Sequence, residues 1–165
     1  KAKKIIHEKY PEIGFNFRMS DLEAAVGVEQ MKKLPKILAA RKELAERYNK
    51  AFAKSELIIP PYVPEGYTHN WQTYVVRLRK NKRISRDTLM QKLLEKGIAS
   101  RRGVMASHLE APYRKLVGKV SLPETEAAAR ETILLPLYPQ MTKTEQEYII
   151  NKIFEIIESN GKKRI

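Results

Sequence analysis

Cysteine is absent from the 165 residues, which excludes a disulfide framework, a thiolate metal site and a thiol nucleophile. A chain without cysteine is at home in a reducing compartment, and a cytoplasmic location is expected. Glycine (7) and proline (9) are sparse against 42% apolar residues, so the composition that keeps chains disordered is missing and an ordered core is expected. No apolar run approaches the roughly 20 residues that cross a bilayer. The opening KAKKIIHEKY has neither the apolar core nor the cleavage site of a secretory signal. Neither membrane insertion nor secretion is expected. The three histidines, His7, His69 and His108, stand far apart with no metal-ligand spacing, and neither a Gly-rich phosphate loop nor a G-x-S-x-G elbow occurs. No metal site is assigned. Glu124, Glu126, Glu145 and Glu147 sit in helical patterns where solvation and the helix dipole account for them, so no carboxylate dyad is assigned either.

What the chain has in excess is positive charge, 32 Lys and Arg against 19 Asp and Glu, a formal +13. A balance this basic raises nucleic acid, an anionic membrane or a phosphorylated small molecule as partners. The cations are spread from Lys3 to Arg164 at polar positions of amphipathic segments, and are dense only in Arg77 to Arg86 and in the Lys162-Lys163-Arg164 tail. That spread favours a solvated basic surface over a nucleic-acid-binding stripe. A basic nucleic-acid-binding or regulatory module is the alternative reading, and its binding would weaken steeply with salt.

Hydrophobic spacing supplies the architecture. Ser20 and Glu23 form a capping-box pair at a helix start, followed by Leu22, Ala25, Val26, Met31 and Leu34 on one side. After Pro35 the spacing resumes through Leu38, Leu44, Ala45, Tyr48 and Phe52, which predicts two helical stretches with a kink or brief break between them. Residues 58–69, with three prolines and a glycine, read as a connector. Alternation of Tyr74, Val76 and Leu78 predicts a half-buried strand over 73–79. Ser85 caps a helix that stops at Gly97, a short strand begins at Ile98, and a loop runs through Pro112 and Gly118. A helix from Pro123 to about Glu131, a strand over 133–137 and a terminal helix capped by Thr142 and Glu145 follow. The fold class is α+β (α/β type): a long helical arm, then a small sheet flanked by helices. The expected divisions are 1–19, a helical arm over 20–55, and a small α/β domain over 56–165. Lys1 stands in place of Met inside what reads as continuing structure, so the chain is expected to be a fragment.

The segment Gly14 to Gln30, GFNFRMSDLEAAVGVEQ, carries the most specific signal. It resembles the G-x-N-x-R-M-[ST]-D/N-[LI]-x-A-A-[ILV]-G-x-x-Q signature of the DegT/DnrJ/EryC1/StrS sugar aminotransferases, matching at Gly14, Asn16, Arg18, Met19, Ser20, Asp21, Ala24, Ala25, Gly27 and Gln30. The likeness continues in order through Arg41 with Tyr48, Trp71 to Val76, Arg86-Asp87, Gly97 to Gly103, His108, Pro112-Tyr113, and Leu135 to Pro139 with Met141-Thr142.

That resemblance implies the C-terminal small domain of a type I enzyme dependent on pyridoxal 5'-phosphate (PLP), with residues 1–19 the end of the large cofactor domain and an inter-subunit segment. It implies amino transfer to a nucleotide-linked keto sugar, with glutamate the expected donor and a homodimer the working unit. The catalytic lysine is expected upstream of residue 1. Lys1, Lys3 and Lys4 lack the Ser/Thr-rich, Gly-flanked setting of that lysine, so the chain alone is expected to be inactive. Asn16 corresponds to the asparagine that reaches the PLP phosphate of the neighbouring subunit, a role suited to an amide donor. A turn-former before the helix is the plainer role for it. Arg18, Arg101, Arg102 and His108 are expected to meet the substrate, where forked guanidinium donors suit carboxylate or phosphate. Arg18 has the dimer interface as a further role and an ion pair with Asp21 as the competing one; surface solvation competes for the other three. Tyr74 and Tyr113 are expected as packing aromatics, and Trp71 at a domain junction. A noncatalytic or PLP-dependent dehydratase relative of the same family would share all of these features.

Overall fold

The structure is a computed structural model and describes residues 12–14, 18–79 and 84–161. Helix α1 (Asp21–Phe52) opens on the capping box: Glu23 N–H donates to Ser20 Oγ at 3.4 Å, and Ser20 N–H donates to Glu23 Oε2 at 2.8 Å. The break expected at Pro35 is absent, and one helix of 32 residues runs through it. Proline removes a single intrahelical donor; the Lys, Leu, Ala, Arg and Glu residues on both sides are strong helix formers and carry the helix past that gap. The C-terminal half of α1 buries Leu44, Ala45, Tyr48 and Phe52, at helical spacing, in the same core as the sheet.

Four strands form one antiparallel sheet: β1 (Ile58–Ile59), β2 (Tyr74–Leu78), β3 (Arg101–Arg102) and β4 (Thr132–Leu135), in the order β1-β2-β4-β3. The central register pairs Tyr74 with Leu135 and Val76 with Ile133. Tyr74, Val76 and Leu78 are buried, as their alternation predicts. Three expectations shift. Two residues of the expected connector form edge strand β1, because Ile58 is buried and Leu57 C=O accepts from Arg79 N–H at 2.8 Å. The strand expected at Ile98 starts at Arg101 instead, since Ile98 N–H is already spent on Leu93 C=O at 2.9 Å, closing the preceding helix around Gly97 (φ 79°). The strand expected over 133–137 ends at Leu135, because Pro136 has no N–H for the ladder.

Helix α2 (Arg86–Glu95) is capped by Ser85, whose Oγ accepts from Thr88 N–H at 3.1 Å. A 3-10 turn (Ser107–Leu109) leads into α3 (Ala111–Val117), a helix where a loop was expected. Pro112 falls in its first turn, where proline is tolerated, and Gly118 (φ 67°) ends it. Helix α4 (Pro123–Glu131) stands where expected, and α5 (Lys143–Gly161) starts on the Thr142–Glu145 box. The end of α1, α2 and α5 cover the sheet face that bears Tyr74, Val76, Ile133 and Leu135. Gln146, buried, donates to Leu44 C=O at 2.7 Å and accepts from Arg47 at 3.2 Å, tying α5 to α1. Among the described residues no helix is long and apolar enough to cross a membrane.

Candidate functional site

Ladder pairing of Arg101 with Leu134 and of Arg102 with Ile133 fixes β3 against β4 and launches the loop that follows. Gly103 makes this possible: a Cβ there would lie 2.5 Å from Val75 Cγ1 and 2.8 Å from Thr132 Oγ1. The loop then returns through the 3-10 turn to α3. Between it and the start of the Gly14 motif lies a cleft of about 270 Å³, lined by Glu12, Ile13, Gly14, Met105, Ser107, Glu110 and Tyr113. The cleft joins two stretches almost a hundred positions apart, both singled out by the family resemblance.

The expected site residues divide by placement. Asn16 lies outside the described residues. Arg18 and Arg101 are exposed. Arg102 is engaged: its guanidinium stands 3.5 Å from Glu110 Oε1, and both side chains are about four-fifths buried, at 22% and 20% exposure. The His108 ring is 8% exposed and turned to α4, with Nε2 3.4 Å from Glu126 Oε1. The same Oε1 accepts from Leu122 N–H at 3.1 Å, and Glu126 Oε2 faces Arg130 at 3.6 Å. The Leu122 amide first, then the His108 hydrogen bond and the His108 and Arg130 charges, hold the Glu126 carboxyl below its ordinary pKa. The structure therefore sets Arg102 and His108 beneath the loop, each against a carboxylate, and leaves the cleft wall to their neighbours.

Four cleft-lining side chains, Glu12, Ser107, Glu110 and Tyr113, were not expected in a functional role. Tyr113, read as a packing aromatic, is 41% exposed at the cleft. No spacing rule announces them; only the antiparallel return of β3 along β4 brings them opposite Gly14. Tyr74 is a core aromatic as expected, stacked on Tyr48 at 4.8 Å and donating to Asn49 Oδ1 at 2.7 Å. Trp71, with a positive φ of 49°, is buried among His69 and Tyr74, and its backbone N–H donates to His69 Nδ1 at 2.8 Å. In the dense basic run, Arg77 pairs with Glu131 at 2.6 Å, and Arg86 bonds Asp87 and the Ala129 carbonyl. Those guanidiniums serve the fold. Among the described residues no group of three or more His, Asp or Glu side chains is placed to hold a metal ion.

A small antiparallel sheet backed by helices and entered by one long helix is the arrangement found in solved PLP-type aminotransferases. TlmJ of Streptoalloteichus hindustanus, an aminotransferase, matches with TM-score 0.75 and 28% identity over 84% of this chain and 37% of its own. Spr1654 of Streptococcus pneumoniae, assigned as a sugar aminotransferase and solved in apo, PMP and PLP forms, matches with TM-score 0.79 and 28% identity in its apo form, over 86% of this chain and 36% of its own. PseC of Helicobacter pylori, an aminotransferase of pseudoaminic acid biosynthesis, matches in fold, with TM-score 0.79 at 21% identity over 90% of this chain and 40% of its own. The DegT/DnrJ/EryC1/StrS aminotransferase family model matches residues 1–154, and the chain belongs to that family. It spans 36–40% of the length of these three relatives.

Proposed function

We propose that the complete protein of which this chain is part moves an amino group from an amino acid, glutamate by first expectation, to a keto sugar carried on a nucleotide. PLP is its cofactor and a homodimer its working unit. In this reading residues 1–19 belong to the large domain and the subunit boundary, 20–55 form the linking arm, and 56–165 the small domain. The observation that carries it is the cleft: the family motif enters at Gly14 on one wall, and the loop after β3 forms the other.

The residue types fit a phosphorylated cofactor and substrate. An amide at Asn16 and exposed guanidiniums at Arg18 and Arg101 supply neutral and charged donors of the kind that hold phosphate oxygens. When bound, PLP supplies the electron sink on which amino transfer depends, with the lysine contributed from outside these residues. Within this chain, Asn16 holds the phosphate of the neighbouring subunit's cofactor, and Arg18 and Arg101 steer the anionic nucleotide. Ser107, Glu110 and Tyr113 present hydroxyl and carboxylate groups to the polar face of the sugar. Arg102 and His108 support that wall from behind.

Support for two-subunit working comes from α1. Leu22, Val26 and Met31, at 83%, 61% and 63% exposure, are apolar side chains of the first half of α1 that none of the described residues covers. The test is PLP titration of the complete protein with Asn16→Ala. The loss of one hydrogen bond to a charged group costs about 1.5–3 kcal/mol, so PLP affinity falls about tenfold or more while the thermal midpoint of the apo form stays put. Unchanged PLP affinity removes Asn16 from the site and the reading with it.

A further inference from the structure

We propose that Glu126 is a positioning residue for the cleft, acting through His108. The proposal rests on the reading of the cleft as the sugar site. The geometry behind it is a single carboxylate tied in three directions. Through Oε1 it meets His108 Nε2 at 3.4 Å and Leu122 N–H at 3.1 Å, and through Oε2 it faces Arg130 one turn on, at 3.6 Å. His108 is the middle residue of the 3-10 turn Ser107–Leu109; Ser107 beside it and Glu110, two positions on, line the cleft while its own ring does not. The ring is thus anchored in the same short stretch that supplies the cleft wall.

The chemistry of the contact is equally specific. Glu126 is held in its ionised form by the Leu122 amide and by His108 itself. A carboxylate accepts hydrogen bonds and cannot donate, so it selects the His108 form that carries its proton on Nε2. The ring is 8% exposed and the glutamate side chain 24%, so water competes poorly for either partner. Glu126 thus joins the loop, the residue before α4 and the helix itself. A surface loop would otherwise sample several positions, and a wall that must meet hydroxyl groups tolerates little of that. The role differs from catalysis, because no group here meets the reacting atoms.

Two measurements on the complete protein test it. The first is ¹⁵N NMR of histidine-labelled protein, with His108→Gln identifying the resonance. Wild type is expected to show the Nε2–H tautomer at neutral pH, Glu126→Ala a mixture, and Glu126→Gln, whose amide oxygen still accepts, the wild-type pattern. The second is kinetics. Glu126→Ala raises KM for the sugar substrate about tenfold with kcat within about twofold, the signature of lost uniform binding, and Glu126→Gln restores most of it. A merely structural cap on α4 would lower the melting temperature of Glu126→Ala without moving the tautomer. An unchanged tautomer in Glu126→Ala overturns the proposal, and so does a shifted tautomer with an unchanged KM. The NMR arm needs no turnover, so an inactive wild type overturns the proposed function while the tautomer still decides whether Glu126 sets the ring.

Discussion

Gly103 shows how one side chain's absence fixes the site. Its N–H donates to Thr132 C=O at 3.2 Å, and no room remains for a Cβ between Val75 and Thr132. Gly103→Ala is therefore expected to destabilise the protein by about 1–3 kcal/mol, the usual range for overpacking, read as a lower midpoint in equilibrium urea unfolding. A neutral result would mean that β3 shifts freely along β4. Of the residues named from the family resemblance, Arg18 and Arg101 stand exposed as a ligand contact requires, whereas Arg102 and His108 are held by Glu110 and Glu126. The motif identified these positions. It carried no trace of their acidic partners, because Arg102 with Glu110 and His108 with Glu126 meet through a loop whose path depends on sheet pairing, not on local spacing.

Helices were legible where caps and periodicity agreed. Ser20 with Glu23, Ser85, and Thr142 with Glu145 all start helices as expected. Pro35 misled because one missing hydrogen bond is outweighed by good helix formers on both flanks, and α3 was missed because a helix of 7 residues has little periodicity to show. The Thr142 box offers a test with a defined pH dependence. Thr142→Ala removes the acceptor of Glu145 N–H at 3.2 Å and is expected to cost about 1 kcal/mol at neutral pH, read by thermal unfolding. The Thr142 amide, then its hydroxyl, hold the Glu145 pKa below its ordinary 4.5. A carboxyl whose folded pKa is lowered adds stability that is fully present above 4.5 and drains away as pH falls through the lower folded value. Glu145→Gln is thus expected to be less stable than wild type at neutral pH, with the difference closing in acid below that value. A gap independent of pH would mean that the carboxylate charge plays no part in the cap.

The whole chain divides unevenly between what it completes and what it leaves open. From Leu44 to Ile157 a single core is closed, with α1, α2 and α5 packed on one face of the sheet. Ahead of it, the first half of α1 carries Leu22, Val26 and Met31 to solvent, an arrangement that fits a protein continuing beyond these residues or pairing with a second copy. The +13 charge reads differently once partners are placed: Arg47, Arg77, Arg86 and Arg102 each meet an acid within the fold. Cations neutralised within the fold add little to a basic face for nucleic acid. The most direct measurement is mass spectrometry of a nucleotide-linked keto sugar incubated with the complete protein, PLP and glutamate. The predicted result is an aminated sugar nucleotide, with 2-oxoglutarate formed in equal amount and no product when PLP is withheld. A folded, PLP-loaded protein that leaves keto sugar and glutamate unchanged, or that removes water from the sugar instead of adding the amine, would contradict it.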